Sequence, residues 1–189
     1  MTKAALRKIY KEKRKQISWK EKERWTDLIL INFQKLELPF IACVHTYLAI
    51  ESQNEVETEG IIRYLSFKNP GLKTVVPKIN LNAGEMQHYI FNDDVEMSPN
   101  SFGIIEPVKA EKVLSSQIDL VLTPLLAFDR KGFRVGYGKG FYDKFFQQCS
   151  SDVIRIGLSF FDAEEIIDDI NPYDIPLHYC ITPNLIYTF

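Results

Sequence analysis

Glycines and basic side chains are concentrated between positions 132 and 140 of the chain. The glycines of this segment are four of the nine in the sequence, namely Gly132, Gly136, Gly138 and Gly140. Without Cβ atoms, glycines let several backbone N–H groups turn toward one point, and a loop binds phosphate in this way. Arg134 and Lys139 add positive charge to the same segment. These residue types at this spacing indicate an anion site.

The residues after the glycines predict a helix over about 140–149, because aromatic side chains recur there at helical spacing. The positive end of its dipole would face the glycines and favour an anion. The common phosphate fingerprints do not match, since Gly136–Gly140 is not G-x-G-x-x-G and neither Ser nor Thr follows Lys139. A plain glycine-rich turn after a strand therefore remains the alternative.

Strand and helix patterns alternate along the chain. Strands are expected over 43–50, 74–77, 87–91, 118–124, 153–158 and 180–188. Helices are expected over 2–16, from the Ser18-Trp-Lys-Glu21 capping box to about Leu36, from a cap at Asn54 through Leu65, and over 163–167. This alternation is typical of α/β proteins, and predicts a single three-layer α/β/α domain over 1–189. We expect it to be Rossmann-like, with a mostly parallel sheet and ligands at the carboxyl ends of the strands.

Composition narrows the possible partners. A chain of 189 residues, 46% of them hydrophobic, suits one globular domain with a substantial core. The net charge of −2 gives no general attraction to nucleic acid or anionic membranes, although the first 24 residues are strongly basic and a nucleic-acid arm is the alternative for them. No apolar signal region or membrane-length apolar stretch is present, so we expect a cytoplasmic protein without a membrane partner.

Cysteine and histidine give no catalytic pattern. The cysteines are widely spaced and lack a C-x-x-C pair, which argues against a disulfide framework or a zinc site and favours small buried apolar residues; they are Cys43, Cys149 and Cys180. The histidines lie in no context that indicates a nucleophile or a general base, and structural or surface roles are expected for His45, His88 and His178.

Four segments, in order along the chain, carry a family resemblance. They are Lys3-Ala-Ala-Leu-Arg7 with the basic run to Arg14, Asn54-Glu-Val-Glu-Thr58, Ser101-Phe-Gly-Ile-Ile-Glu-Pro107, and Pro124–Asp129 followed by Gly132–Asp143. Together they resemble the 5-formyltetrahydrofolate cyclo-ligases, also called methenyltetrahydrofolate synthetases. That family has a single three-layer α/β domain of Rossmann-like type, in agreement with the fold expected from periodicity.

The resemblance implies an enzyme that uses ATP as co-substrate and Mg²⁺ as cofactor. It would convert 5-formyltetrahydrofolate to 5,10-methenyltetrahydrofolate with release of ADP and phosphate. Transfer of the γ-phosphoryl group to the formyl oxygen would give an iminium phosphate, which N10 of the folate attacks before phosphate leaves. This chemistry needs positioning and charge neutralisation more than a protein nucleophile. The expected partners are small molecules only, and the expected state is a monomer.

The resemblance assigns ATP binding to two sets of residues. Lys3 and Arg7 are spaced i, i+4, which places both on one face of the predicted N-terminal helix. The second set is the loop with the start of its helix, namely Arg134, Gly136, Tyr137, Gly138, Lys139, Gly140, Phe141 and Tyr142. Within that set, Lys139 and Arg134 are expected to act in catalysis. The other basic residues over 8–15 are expected to form a solvated face.

Folate binding is assigned to Leu48, Glu55, Tyr137 and Tyr142. A carboxylate at Glu55 suits the N–H donors of the pterin, and apolar or aromatic side chains suit its flat ring. Helix capping by Glu55 is the alternative. Tyr137 stands where some relatives have Arg, which puts a phosphate contact there in doubt.

The resemblance assigns the metal to Asp143 and Asp174. An aspartate beside a phosphate loop would repel the nucleotide unless a cation lay between them. For Asp143 the alternative is an acidic residue stabilised by the helix dipole. Around Asp174 the sequence departs from many members, which carry an acidic residue where this chain has His178.

Two other functions are compatible with the sequence. One is a different nucleotide-using or sugar-phosphate enzyme of similar fold, which would keep the phosphate loop without binding folate. The other is a folate- or nucleotide-binding module without activity. The joint presence of Glu55, Lys139 and Asp143 favours an active enzyme.

Overall fold

A computed structural model describes residues 1–80, 84–100 and 105–189. The helices are α1 (Lys3–Lys15), α2 (Trp19–Phe33), α3 (Glu59–Lys68) and α4 (Phe141–Gln148). The strands are β1 (Cys43–His45), β2 (Lys73–Asn80), β3 (Glu85–Ile90), β4 (Met97–Pro99), β5 (Ile105–Pro107), β6 (Lys112–Val113), β7 (Leu120–Pro124), β8 (Ala127–Phe128), β9 (Arg134–Val135), β10 (Ile154–Leu158), β11 (Tyr179–Ile181) and β12 (Ile186–Thr188). In the segment 101–107 that carries part of the resemblance, positions 101–104 lie outside the described residues.

A central sheet has the strand order β12-β11-β10-β7-β1-β2-β3-β6. Its middle strands, from β11 to β2, are parallel, and the strands at both edges are antiparallel. The predicted α/β fold with a mostly parallel sheet is thus confirmed. From β1 the chain moves outward to β2, and from β7 it moves outward in the other direction to β10. The topological switch point therefore lies between β7 and β1, where α/β proteins bind ligands.

Helices cover both faces of this sheet. Alternate residues of β7 point to opposite faces, so Leu120 and Leu122 pack with α2 and α3 while Val121 packs with Phe145 of α4. Because both faces are covered, β7 is buried along nearly its whole length. Burying each large apolar side chain of these layers contributes about 1.5–3 kcal/mol.

Local signals set the ends of the first two helices. The Thr2 hydroxyl caps α1 by accepting from the backbone N–H of Ala5 at 3.3 Å. In α2, Ser18 and Glu21 form the predicted capping box, with each side chain accepting from the other residue's backbone N–H. Both predicted helices are confirmed, although α2 ends at Phe33, before Leu36.

Between β1 and α3 the prediction was wrong in two respects. The strand ends at His45 and does not continue to position 50. Asn54 does not cap the helix: its backbone is left-handed, with φ 45°, its side-chain amide donates to the Arg14 carbonyl at 2.8 Å, and α3 begins at Glu59. A tertiary contact thus fixes Asn54, and the chain between β1 and α3 becomes part of the carboxyl edge of the sheet.

The carboxyl-terminal third also departs from the prediction. The segment 163–167 is not helical, because Glu164 pairs with the chain at 128–130 and Ile167 N–H donates to the Asp129 carboxylate. The strand expected over 180–188 is two antiparallel strands, β11 and β12. They are joined by a turn in which the Thr182 hydroxyl accepts from two backbone N–H groups.

The thiols of Cys43, Cys149 and Cys180 are free; Cys149 is half-buried and the other two are buried. In the described part of the chain, no helix is both long enough and apolar enough to cross a membrane.

Candidate active site

The residues assigned to folate and to ATP meet at the switch point of the sheet. Glu55 lies on the segment that follows β1, and the glycine loop (Gly136–Gly140) lies after the β8–β9 hairpin that follows β7. The Tyr137 hydroxyl donates to Glu55 Oε1 at 2.6 Å. One hydrogen bond therefore joins the two segments across the carboxyl ends of the central strands.

Glu55 is held from both sides. Its side chain is only 3% exposed, and Oε2 accepts from the backbone N–H of Ile50 at 2.8 Å. Within the described residues, this bond and the one from Tyr137 are the two hydrogen bonds of the Glu55 carboxylate, which has about four acceptor positions, so further positions can accept from a ligand. Leu48 is half-buried on the same segment, seven residues before Glu55.

Tyr137 and Tyr142 supply neutral rings to this edge. Burial, followed by the charge of Glu55, raises the pKa of both phenols well above its usual range. Tyr142 lies in the first turn of α4, with its ring centroid 6.0 Å from that of His45 at the end of β1. At neutral pH both hydroxyls thus keep their protons and remain hydrogen-bond donors.

Arg7 of α1 lies against the glycine loop. Its Nε donates to the Gly136 carbonyl at 2.9 Å. A Cβ at Gly138 would lie 3.3 Å from the Arg7 guanidinium, and Gly138 has φ +96°. The positive φ at position 138 favours glycine, and the absence of a Cβ leaves room for the arginine.

Lys3 and Lys139 differ in their surroundings. Lys3 Nζ forms an ion pair with Asp174, and both side chains are mostly buried. The side chain of Lys139 is exposed at the tip of the glycine loop, and within the described residues it forms no ion pair. Lys139 is thus a cation free to meet an anion, whereas Lys3 would have to change partner.

The guanidinium of Arg134 is bonded to neighbouring protein groups. Its Nη2 forms an ion pair with Asp143 at 2.7 Å, its Nη1 donates to the Ile175 carbonyl at 2.6 Å, and the guanidinium stacks 4.7 Å above the Phe146 ring. Burial lowers the pKa of Arg134, and the charge of Asp143 opposes that effect. The side chain is 6% exposed. This arrangement makes Arg134 a residue that orients Asp143.

Asp143 is hydrogen-bonded to the residue that follows Asp174. Asp143 Oδ1 accepts from the backbone N–H of Ile175 at 3.1 Å, and Asp174 is the residue before Ile175. Within the described residues, Asp143 Oδ2 accepts no hydrogen bond, and no cluster of three or more His, Cys, Asp or Glu suits a metal ion. Mg²⁺ is usually held by one or two carboxylates together with phosphate oxygens and water. These two residues fit that donor set.

Arg14 was missed by the sequence analysis, which placed it on a solvated face. Its side chain is 3% exposed, with Nη1 donating to the Tyr137 hydroxyl at 3.1 Å and Nη2 donating to the Leu125 carbonyl. The buried residues of α1 are Leu6, Tyr10 and Arg14. Their spacing of i, i+4, i+8 puts Arg14 on the apolar stripe of the helix, and this spacing was the available signal.

Most of the residues assigned from the sequence thus meet at one edge of the sheet. Phe141 is the exception, because it lies on the β3 side of α4 and lines a small cavity with Gly84 and Lys144. His178 is also outside the site, since both of its ring nitrogens contact Arg155.

Comparison with known proteins identifies relatives over nearly the whole chain. Residues 1–183 match the model of the 5-formyltetrahydrofolate cyclo-ligase family. A 5-formyltetrahydrofolate cyclo-ligase from Mycoplasma pneumoniae is 29% identical over 187 residues, which cover 96% of this chain and 98% of the relative. One from Haemophilus influenzae is 32% identical over 130 residues, or 65% of this chain and 67% of the relative.

A solved structure has the same fold. The NMR structure of 5,10-methenyltetrahydrofolate synthetase from Aquifex aeolicus superposes with a TM-score of 0.81 at 27% sequence identity. The match covers 100% of this chain and 93% of that protein.

Proposed function

The chain belongs to the 5-formyltetrahydrofolate cyclo-ligase family, and we propose how its own residues perform that family's ATP-dependent reaction. The reaction converts 5-formyltetrahydrofolate and ATP to 5,10-methenyltetrahydrofolate, ADP and phosphate. The observation that carries the assignment is the hydrogen bond between Tyr137 and Glu55 at 2.6 Å. It joins the segment that we assign to the pterin to the loop that we assign to the phosphates, and this adjacency supports transfer between the two substrates.

In the folate half, Glu55 accepts hydrogen bonds from the amino and N–H groups of the pterin. Its carboxylate is buried and is held by the Ile50 N–H and the Tyr137 hydroxyl, so its orientation toward a ligand depends on these two contacts. Leu48 and Tyr142 supply the apolar and aromatic contacts for the flat ring. The neutral Tyr137 hydroxyl keeps Glu55 in place.

In the ATP half, the glycine loop surrounds the phosphates with backbone N–H groups, and α4 adds the positive end of its dipole. Lys139 contributes a mobile charge from the tip of the loop. Arg7 approaches from α1 and, through its bond to the Gly136 carbonyl, fixes the loop. Lys3 reaches the same region from the first turn of α1, where it faces Asp174.

Asp143 and Asp174 would hold Mg²⁺, which when bound neutralises charge on the triphosphate. Arg134 and Lys3 lie directly against these carboxylates, so two cations and two anions form one cluster. Binding of the negatively charged nucleotide would draw Lys3 toward the phosphates and leave Asp174 in need of another cation. Arg134 would stay with Asp143, because its Nη1 is anchored on the Ile175 carbonyl and its Nη2 is directed at Asp143.

The chemistry proceeds through activation of a poor electrophile. The formyl oxygen attacks the γ-phosphorus as ADP leaves, giving an iminium phosphate at N5. The N10 amine then attacks the formyl carbon, loses its proton, and phosphate departs with its bonding pair. No protein nucleophile is needed, and holding two reactants in line can lower the barrier by about 7–11 kcal/mol. Lys139 is the residue assigned to the transferred phosphoryl group.

The direct test is to incubate the purified protein with 5-formyltetrahydrofolate, magnesium and ATP, and to follow the absorbance of the methenyl product. We expect product only when ATP is present. Omission of magnesium tests the metal separately from the reaction class. An ATPase activity that ignores folate would contradict the proposal and favour another nucleotide-using enzyme. The proposal also includes a monomeric state and a cytoplasmic location, which sedimentation and cell fractionation test.

A further inference from the structure

A buried arginine connects the N-terminal helix with the carboxylate assigned to folate. Arg14 donates to the Tyr137 hydroxyl at 3.1 Å, and that hydroxyl donates to Glu55 Oε1 at 2.6 Å. The second Nη of Arg14 donates to the Leu125 carbonyl, immediately after β7. The arginine is therefore anchored on the sheet and oriented toward Tyr137, while its charge lies one hydroxyl away from the charge of Glu55.

The same helix is attached to the glycine loop at a second point. Arg7 bonds the Gly136 carbonyl and packs against Gly138, so the residues on both sides of Tyr137 contact α1. A third attachment lies beyond the loop, where the Asn54 amide donates to the Arg14 carbonyl at 2.8 Å. The end of α1, the glycine loop and the segment carrying Glu55 are thus bonded to one another in a ring.

We propose that Arg14 is a positioning residue that couples the binding of ATP to the binding of folate through Tyr137 and Glu55. The inference rests on the proposed function, because it assumes that the loop binds phosphates and that Glu55 binds the pterin. Phosphates that order the glycine loop fix the backbone of Tyr137. Since Arg14 holds the Tyr137 hydroxyl from the other side, the fixed tyrosine presents Glu55 in the orientation that accepts the pterin.

The chemistry of the side chain explains why arginine stands at this position. Its planar guanidinium offers several donors in fixed directions, so it can bond the Leu125 carbonyl and the Tyr137 hydroxyl at the same time. A lysine ammonium could replace the charge but not this two-point geometry.

The coupling can be measured by calorimetry with 5-formyltetrahydrofolate and β,γ-methylene-ATP in the presence of magnesium. We expect saturation with the analogue to raise the affinity of the wild-type protein for folate at least about fivefold, at the lower end of usual allosteric coupling. In Tyr137→Phe and Arg14→Lys, the ratio of the folate affinity with the analogue to the folate affinity without it should fall to within about twofold of one. Lys15→Ala is the matched control, because Lys15 is an exposed cation of the same helix and its one ion pair in the described part of the chain is with Glu12.

The ratio of the two folate affinities distinguishes a positioning role of Arg14 from a purely structural one. A variant that is merely less stable loses active protein and binds both ligands in lower amount, but the two folate affinities keep their ratio. If Arg14→Lys does not fold, Tyr137→Phe still decides the matter, since it keeps the ring and removes one hydroxyl. A wild-type ratio of one, or an unchanged ratio in Tyr137→Phe, would overturn the inference. A wild-type protein that binds no folate would refute the proposed function itself, and the inference with it.

Discussion

Two regions of the molecule that bury polar side chains differ in whether those side chains are charged and hydrogen-bonded. At the carboxyl edge of the sheet, Glu55, Arg14 and Arg134 are charged, and each bonds another protein group. Under α4, His45 and His88 are buried side by side with ring centroids 5.1 Å apart. Within the described residues, none of their four ring nitrogens has a hydrogen-bond partner.

The difference follows from what each region surrounds. The Phe145 ring covers both imidazoles, at 4.8 Å from His45 and 4.1 Å from His88. Burial lowers the pKa of His45 well below its usual range and that of His88 to about 4. The histidines therefore remain neutral members of an apolar layer. At the edge, hydrogen bonds and opposite charges reduce the cost of burying Glu55, Arg14 and Arg134.

The largest expected effect concerns the histidine side of this comparison. Between pH 6.5 and 4 the unfolded chain protonates His88 while the folded protein does not, so stability present above pH 6.5 is lost as the pH falls. The difference between the usual histidine pKa of 6.5 and the folded value of about 4 corresponds to about 3 kcal/mol of lost stability once the pH lies below both values. In His88→Phe this part of the pH dependence should disappear.

Urea unfolding at several pH values between 8 and 4 measures the effect. The comparison is the slope of the free energy of unfolding against pH in the two proteins, since a uniform offset reports only on packing against Phe145. Parallel curves would mean that His88 already binds its proton in the folded state. His88 would then be charged in the folded protein, and the contrast between a neutral histidine pair and a charged edge would not hold.

The second prediction tests the charged edge. Asp143→Asn should lower activity at limiting magnesium by at least about 100-fold, the upper end of the cost of losing a supporting contact at a metal site. Excess magnesium should restore part of it. Stability should fall as well, because the buried Arg134 loses the opposite charge of its ion-pair partner, although asparagine keeps an acceptor oxygen for the Arg134 and Ile175 contacts.

The matched control is Asp152→Asn, an exposed carboxylate just before β10, which should leave the rate unchanged. Steady-state rates over a magnesium titration, together with the melting temperature, provide the measurement. A variant with the parent's rate at low magnesium would leave Asp143 only the role of an acidic residue at the helix start.

Elements set by short-range sequence signals were predicted better than contacts between residues distant in sequence. Signals that act within a few residues gave the correct elements: the Ser18 capping box for α2 and the aromatic spacing for α4. The fold class followed from the same alternation. Contacts distant in sequence were not visible, and they decide Arg14, Asn54 and the segment 163–167.

The site was predicted by resemblance to a greater extent than by physics. Glycine spacing alone indicated an anion site, and only the family pattern pointed to Glu55 as its neighbour. The environment of Arg134 could not be foreseen, because its partners Asp143 and Ile175 come from two different segments. The unpaired state of the buried histidines likewise depends on what α4 covers, which composition does not reveal.

A third prediction concerns the exposed charge of the edge. Lys139→Ala should raise the apparent KM for ATP about tenfold or more while changing that for folate little, since a charge-assisted contact contributes about 1.5–3 kcal/mol. Arg7→Ala should likewise raise the apparent KM for ATP more than that for folate. Lys131→Ala, which removes another exposed lysine outside the glycine loop, is the control. Equal effects on both substrates would show that the loop serves a shared conformational step instead.

The smallest expected effect distinguishes the folate half of the site from the ATP half. Glu55→Gln keeps the size of the side chain and one acceptor oxygen, but it presents an amide donor where the pterin also presents donors. Folate affinity should fall by about 1–3 kcal/mol as buried polar groups lose their partners, while ATP binding stays nearly intact. Calorimetry with each ligand alone tests this, and Glu57→Gln, an exposed carboxylate two residues further on, is the matched control. Unchanged folate binding in Glu55→Gln would remove this carboxylate from the site, and its pairing with Tyr137 and Arg14 would then be structural, like the packing of the histidines under α4.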